Sequence, residues 1–91
     1  MAFELAMKSS FRADFLRLNR DMQKRVNGAL SELEEKAATQ LGDTIKPLRY
    51  HKNLWRYRIG DFRLVYAVYP SKELVQCLGI DKRDDIYKRM N

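Results

Sequence analysis

The chain has a single cysteine, Cys77, so no disulfide can close within it, and a reducing compartment suits it. It has a single histidine, His51, in an expected turn, where a surface role fits better than catalysis. No Cys/His cluster of the zinc-binding kind occurs, nor a glycine-rich phosphate loop. The acids are scattered. Asp81, Asp84 and Asp85 come nearest to a metal-binding set, and neither metal nor cofactor is expected. No apolar run approaches the ~20 residues of a spanning helix. The opening Met1-Ala2-Phe3-Glu4-Leu5 lacks the basic start, apolar stretch and cleavage site of a secretion signal. The expectation is a cytoplasmic protein with no membrane partner. Repeats, linkers and low-complexity segments are also missing.

What remains is one domain, residues 1–91, with 45% apolar and 33% charged residues, a globular composition. A chain this short buries a modest core. Its charge is unevenly placed. Of 18 basic and 12 acidic residues, residues 1–45 hold seven of each. The net +6 therefore lies in residues 46–91. Lys46, Arg49, Lys52, Arg56, Arg58 and Arg63 face only Asp61 in that stretch. A solvated face would disperse such charge; clustering favours a surface for polyanions.

The pattern predicts an α+β fold. Phe3, Leu5 and Met7 alternate as a first strand. Ser9 or Ser10 would cap a helix with Asp14 near its first turn and Phe11, Phe15 and Leu18 as its stripe. Asn19 to Asp21 forms a corner. A second helix carries Met22, Val26, Leu30, Leu33 and Ala37 on one face and ends at Gly42-Asp43. This αα-hairpin would cover one face of a sheet. An antiparallel meander follows: Pro47 to Tyr50 at an edge, Leu54 to Ile59, Phe62 to Tyr69, and the apolar, central Leu74 to Ile80. A short helix or tail from Asp84 to Met90 closes the chain.

Trp55, Tyr57 and Ile59 point to one side of their strand, Arg56 and Arg58 to the other. Trp55 is expected in the core. Arg63 follows across a tight Gly60-Asp61 turn, whose geometry decides its facing. If the three arginines converge, their planar, permanently charged forks suit a phosphate and the charge that builds on it in a transition state. The run Lys82-Arg83-Asp84-Asp85-Ile86-Tyr87-Lys88-Arg89 adds basic groups and one aromatic. Tyr87 either stacks on a base or packs the tail onto the core. Cys77, in an apolar strand, reads as a small core residue. Hydrolysis here would run without a metal, on Arg, Lys and Tyr.

Lys46-Pro47-Leu48, the stretch Leu54-Trp55-Arg56-Tyr57-Arg58-Ile59-Gly60-Asp61-Phe62-Arg63-Leu64-Val65-Tyr66 and the closing Lys82-Arg83-Asp84-Asp85-Ile86-Tyr87 resemble the RelE family of the RelE/ParE toxin superfamily. The resemblance covers nearly the whole chain. It implies the toxin of a type II toxin–antitoxin pair that enters the ribosomal A site and cuts messenger RNA there. The family's ribose 2′-hydroxyl attacks the adjacent phosphate, leaving a 2′,3′-cyclic phosphate and a free 5′-hydroxyl. By the resemblance, Arg58, Arg63, Arg83 and Tyr87 are the catalytic candidates and Arg56 binds RNA; Lys52, Lys82 and Lys88 of the basic surface are expected to bind RNA beside them. Arg56 and Arg63 would hold phosphates, Arg83 would serve the leaving group, and Tyr87 would stack on or orient the nucleotide. Some members carry lysines in place of Arg56 and Arg58. Arginine is a poor proton acceptor, so Arg58 would act by charge, or Tyr87, Lys82 or the ribosome would take the proton.

Two other readings stand beside this one. A ParE-like member would inhibit gyrase without cutting RNA, and a decayed toxin would bind RNA or the ribosome without catalysis. The resemblance also implies a cognate antitoxin, for which the basic surface suits an acidic partner, and a monomer or weak homodimer when free.

Overall fold

The computed structural model describes residues 2–49 and 51–89. Tyr50, the end of the expected edge strand, and Met1 and Met90 lie outside these residues. In chain order the elements are β1 (Glu4–Met7), α1 (Ser9–Arg17), α2 (Arg20–Lys36), β2 (Ile45–Pro47), β3 (Leu54–Ile59), β4 (Phe62–Tyr69), β5 (Leu74–Lys82) and α3 (Arg83–Arg89). A single turn of 3₁₀ helix, Pro70–Lys72, joins β4 to β5.

The strands form one sheet in the order β1-β5-β4-β3-β2. Strands β2 to β5 are the expected antiparallel meander, and β1 adds to β5 in parallel. One face carries Leu64, Tyr66 and Val68 of β4 with Val75, Cys77 and Ile80 of β5, packed against Phe11, Val26, Ala29, Leu33 and Ala37. Trp55 and Tyr57 pack against this cluster, as their alternation required. Leu33 is fully buried; burying such a side chain stabilises by roughly 1.5–3 kcal/mol. Among the described residues no helix is long and apolar enough to cross a membrane.

Four expectations need correction. Lys8, not Ser9 or Ser10, caps α1, and it does so with its backbone alone. Ser10 lies inside the helix, and its hydroxyl donates to the Leu78 carbonyl. Asp14 does not serve the first turn of α1 but is buried against β5. Helix α2 starts as expected, with the Asn19 side chain accepting from the Met22 amide at 2.8 Å, but it stops at Lys36 rather than at Gly42-Asp43. The cause is Tyr66, whose hydroxyl donates to the Ala37 carbonyl at 2.8 Å and so takes the helix end into the core. Gly42, at φ +51°, then bends the chain into β2. That strand is Ile45–Pro47 rather than Pro47 to Tyr50, because Ile45 is the apolar residue that is buried. Pro47 still lies on an edge strand, where its missing amide hydrogen costs no ladder bond.

Candidate nucleic-acid interface

The turn between β3 and β4 decides the site. Ile59 pairs with Phe62, leaving a two-residue loop, and Gly60 sits at φ +59° while Asp61 keeps a negative φ. This is the II′ pattern that lets two strands continue without splaying. It places Arg58 directly opposite Arg63, on the face away from α2. Arg56 shares that face, opposite Val65. Helix α3 packs on the same face through buried Ile86, which meets Val65 and Gly79. Arg83 and Tyr87 are thereby brought to the arginines.

Arg56, Arg58, Arg63, Arg83, Tyr87 and Asp43 line one cavity of about 230 Å³. Four guanidinium groups meet one carboxylate there. A neighbouring cavity of about 470 Å³ shares Arg58, Arg63 and Arg83 and adds Lys82, but its Asp61, Asp84 and Asp85 nearly balance the charge. The smaller cavity is thus the stronger anion site. Lys52, in the bend before β3, and Lys88, on α3, line neither.

The arginines are held differently. Arg56 is 8% exposed and donates to the Asp43 and Thr44 carbonyls and to Asp43 Oδ1, so it buckles the turn before β2. Arg63 is 9% exposed and donates to the Gly60 and Phe62 carbonyls at 2.8 and 2.9 Å. These two are fixed in place. Arg58 is half exposed and pairs with Asp43 Oδ2. Arg83 is exposed, and its guanidinium has no ion-pair partner among the described residues. Like charges directly opposite across a strand pair are destabilising. The Arg58/Arg63 pair is therefore a local cost of the kind found at functional sites.

Asp43 was outside the expected site. It pairs with Lys46 at 3.2 Å, Arg56 at 3.1 Å and Arg58. Hydrogen bonds from Lys46 first, then Arg58 and Arg56, hold its carboxyl far below the usual carboxylate range. So low an affinity for protons makes it a poor general base. Its only sequence signal was an acid just before the basic stretch. Burial pushes the Cys77 thiol up to about 12, as suits a core residue. Among the described residues no group of three or more His, Cys, Asp or Glu is placed to hold a metal ion.

A family model described as the ParE toxin of the type II toxin–antitoxin system parDE matches residues 5–87. No curated protein matches the chain at a significant level. Among solved structures, the RelBE2 toxin–antitoxin complex of Mycobacterium tuberculosis aligns at TM-score 0.76 and 22% identity, covering 91% of this chain and 100% of that one. A mutant Escherichia coli RelE in the free state aligns at 0.78 and 20%, covering 97% and 93%. A YoeB/ParE toxin from Agrobacterium tumefaciens aligns at 0.74 and 20%, covering 89% and 99%. At these identities the structures establish a shared fold.

Proposed function

The chain belongs to the RelE/ParE toxin superfamily of type II toxin–antitoxin systems, and from that premise we propose that it is a ribosome-dependent endoribonuclease acting on messenger RNA in the A site. The observation that carries the proposal is the convergence of Arg58, Arg63, Arg83 and Tyr87 on one cationic cavity.

In this reading Arg63, fixed by its backbone bonds, binds the scissile phosphate. Arg58 adds charge as the pentacoordinate state forms during attack by the ribose 2′-hydroxyl. Arg83, exposed at the mouth, stabilises the departing 5′-oxygen, and Tyr87 orients the nucleotide. The bond formed is 2′-O to phosphorus and the bond broken is phosphorus to 5′-O. The 2′ proton leaves to the ribosomal environment, since Asp43 is a poor acceptor, and the departing 5′-oxygen takes up a proton from the same environment to become the free 5′-hydroxyl. Arg56 supports the turn that carries Asp43, and Lys82 extends the basic surface. Residues 1–91 act as one toxin domain in the cytoplasm and bind a cognate antitoxin, a reading supported by the toxin–antitoxin complexes among the similar solved structures.

The ParE description of the matching family model favours a second reading, a toxin that binds gyrase or another target without cutting RNA. Asp43 fits it, because it already neutralises part of the cluster. Primer extension on a translated message separates the two. Wild-type protein should cut only with ribosomes present, and an Arg63→Ala/Arg83→Ala variant should not cut. A folded wild-type chain that leaves the message intact, while inhibiting DNA supercoiling by gyrase, would replace the nuclease reading with the second.

A further inference from the structure

We infer that Asp14, on α1, is a positioning residue that docks α3 and so sets where Arg83 and Tyr87 stand in the cavity; the functional part of this rests on reading that cavity as the RNA site. Strand β1 pairs with β5 only as far as Cys77. Beyond it the outer edge of β5 would be bare, with backbone groups needing partners. Helix α1 supplies them. The Lys8 amide donates to the Cys77 carbonyl at 3.0 Å, Ser10 donates to Leu78, and Asp14 Oδ2 accepts from the Ile80 amide at 3.0 Å.

The edge alone does not explain a carboxylate. An amide or hydroxyl would accept one hydrogen bond equally well, and a buried charge is costly unless paired. Asp14 is 7% exposed, and the same Oδ2 lies 3.0 Å from Arg89 Nη2 on α3. Arg89 Nη1 reaches Asp81 Oδ2 at 3.2 Å, so this guanidinium bridges α3 to both α1 and β5. Gly79 makes room for the junction. A Cβ there would stand 3.1 Å from Asp14 Oδ2, 3.3 Å from Ile86 Cδ1 and 3.4 Å from Arg89 Nη2.

A helix of seven residues does not hold its shape in water by itself. The order of α3 therefore derives from its contacts, which are the Arg83 amide on the Asp61 carbonyl at 3.0 Å, buried Ile86, and Arg89 between two acids. Tyr87 lies two residues before Arg89, and Arg83 six before it. The Arg83 amide ties down the start of the helix that carries both, and Arg89 ties down its end and so sets how the helix lies on the sheet. Asp14 touches neither the cavity nor its residues, and it acts on them only through α3.

The test uses the full chain with Asp14→Asn, Arg89→Ala and Arg89→Lys. Asp14→Asn retains an oxygen for the Ile80 amide but removes the charge that holds Arg89. Amide hydrogen exchange reads the docking of α3, and binding of a single-stranded oligoribonucleotide over a salt series reads its consequence. Asp14→Asn and Arg89→Ala should each speed exchange at residues 83–89 by about tenfold or more while β4 stays protected. The salt slope should lose about one phosphate contact in both. Arg89→Lys, which keeps a charge but not the fork, should fall between wild type and Arg89→Ala. Unchanged protection of α3 in both Asp14→Asn and Arg89→Ala overturns the inference. So does equal loss of protection across β4 in Arg89→Ala, which would make the role fold-wide. A wild-type chain that binds no oligonucleotide defeats the RNA reading, and the exchange data then still decide whether Asp14 docks α3.

Discussion

Asp43 is ion-paired to Arg58 at the cavity wall, although both side chains are about half exposed. The most accessible strand arginine of the cluster thus carries an anion already, and an incoming phosphate must compete with it. Asp43→Asn should strengthen binding of a single-stranded oligoribonucleotide by on the order of two- to fivefold, the scale of a screened surface pair. The salt dependence should steepen as Arg58 becomes available. Weaker binding by the variant in a fluorescence-anisotropy titration would show instead that Asp43 serves the site by holding Arg56 and Arg58 in place.

The same contacts give Asp43 a defined pH signature. Its folded carboxyl titrates below its unfolded value because Lys46, Arg58 and Arg56 favour the ionised form. A depressed folded pKa contributes stability that is complete above the unfolded value of about 4 and fades as pH falls toward the folded one. The stability difference between wild type and Asp43→Asn should be constant from pH 5 to 8, as pH test points, and shrink progressively below about pH 4. Urea melts across that range provide the check, and a difference undiminished at about pH 3 would contradict the assignment.

Tyr66 ends α2 from inside the core. Its hydroxyl is the partner of the Ala37 carbonyl, and Tyr66→Phe leaves that acceptor buried without its donor. The cost should be about 1–3 kcal/mol, read as a lower urea midpoint with an unchanged slope. Tyr66 faces away from the arginines, so oligonucleotide binding at saturating folded protein should not change. An unchanged midpoint would mean that the helix end finds another donor.

What could be read in the sequence, and what could not, divides along local and non-local physics. Alternation in Leu54 to Ile59 placed Trp55 and Tyr57 toward the core and Arg56 and Arg58 on the other face, because side-chain period in a strand is a local property. The Gly60-Asp61 signal gave the hairpin, but whether Arg63 joined Arg58 depended on the loop being two residues long and on the sign of one φ angle. The end of α2 was misplaced because it is set by Tyr66, which lies 29 residues later. The tertiary partners of Asp14 and Asp43 could not be read for the same reason. Asp14 meets Ile80 and Arg89 only after the sheet has formed, and Asp43 meets Arg56 and Arg58 only through the pairing of β2 with β3.

Cys77 is fully buried, and its thiol is pushed up to about 12 by that burial. The reactive thiolate is therefore scarce at neutral pH, and the sulfur is out of reach. Native protein at pH 8, as the assay condition, should resist iodoacetamide, while protein in urea should be alkylated stoichiometrically, as read by intact mass. Rapid labelling of the native chain would mean that β5 opens locally far more often than its place between β1 and β4 implies.

Gly79 separates the integrity of the sheet from the docking of α3. A branched side chain at this position would be driven into Asp14, Ile86 and Arg89, and α3 is the least anchored of the elements it meets. Gly79→Val should therefore displace α3 and leave the meander paired, since β5 keeps its bonds to β4 and extended backbone suits valine. The expected result is near-native far-ultraviolet circular dichroism outside the α3 contribution, with loss of protection at residues 83–89. Oligonucleotide affinity should fall to that of Arg83→Ala, because the displaced helix takes Arg83 and Tyr87 with it. If binding in Gly79→Val stays at the wild-type level while α3 is unprotected, then Arg58 and Arg63 hold the phosphate without help from α3. The cavity would then owe its affinity to the β3–β4 hairpin alone.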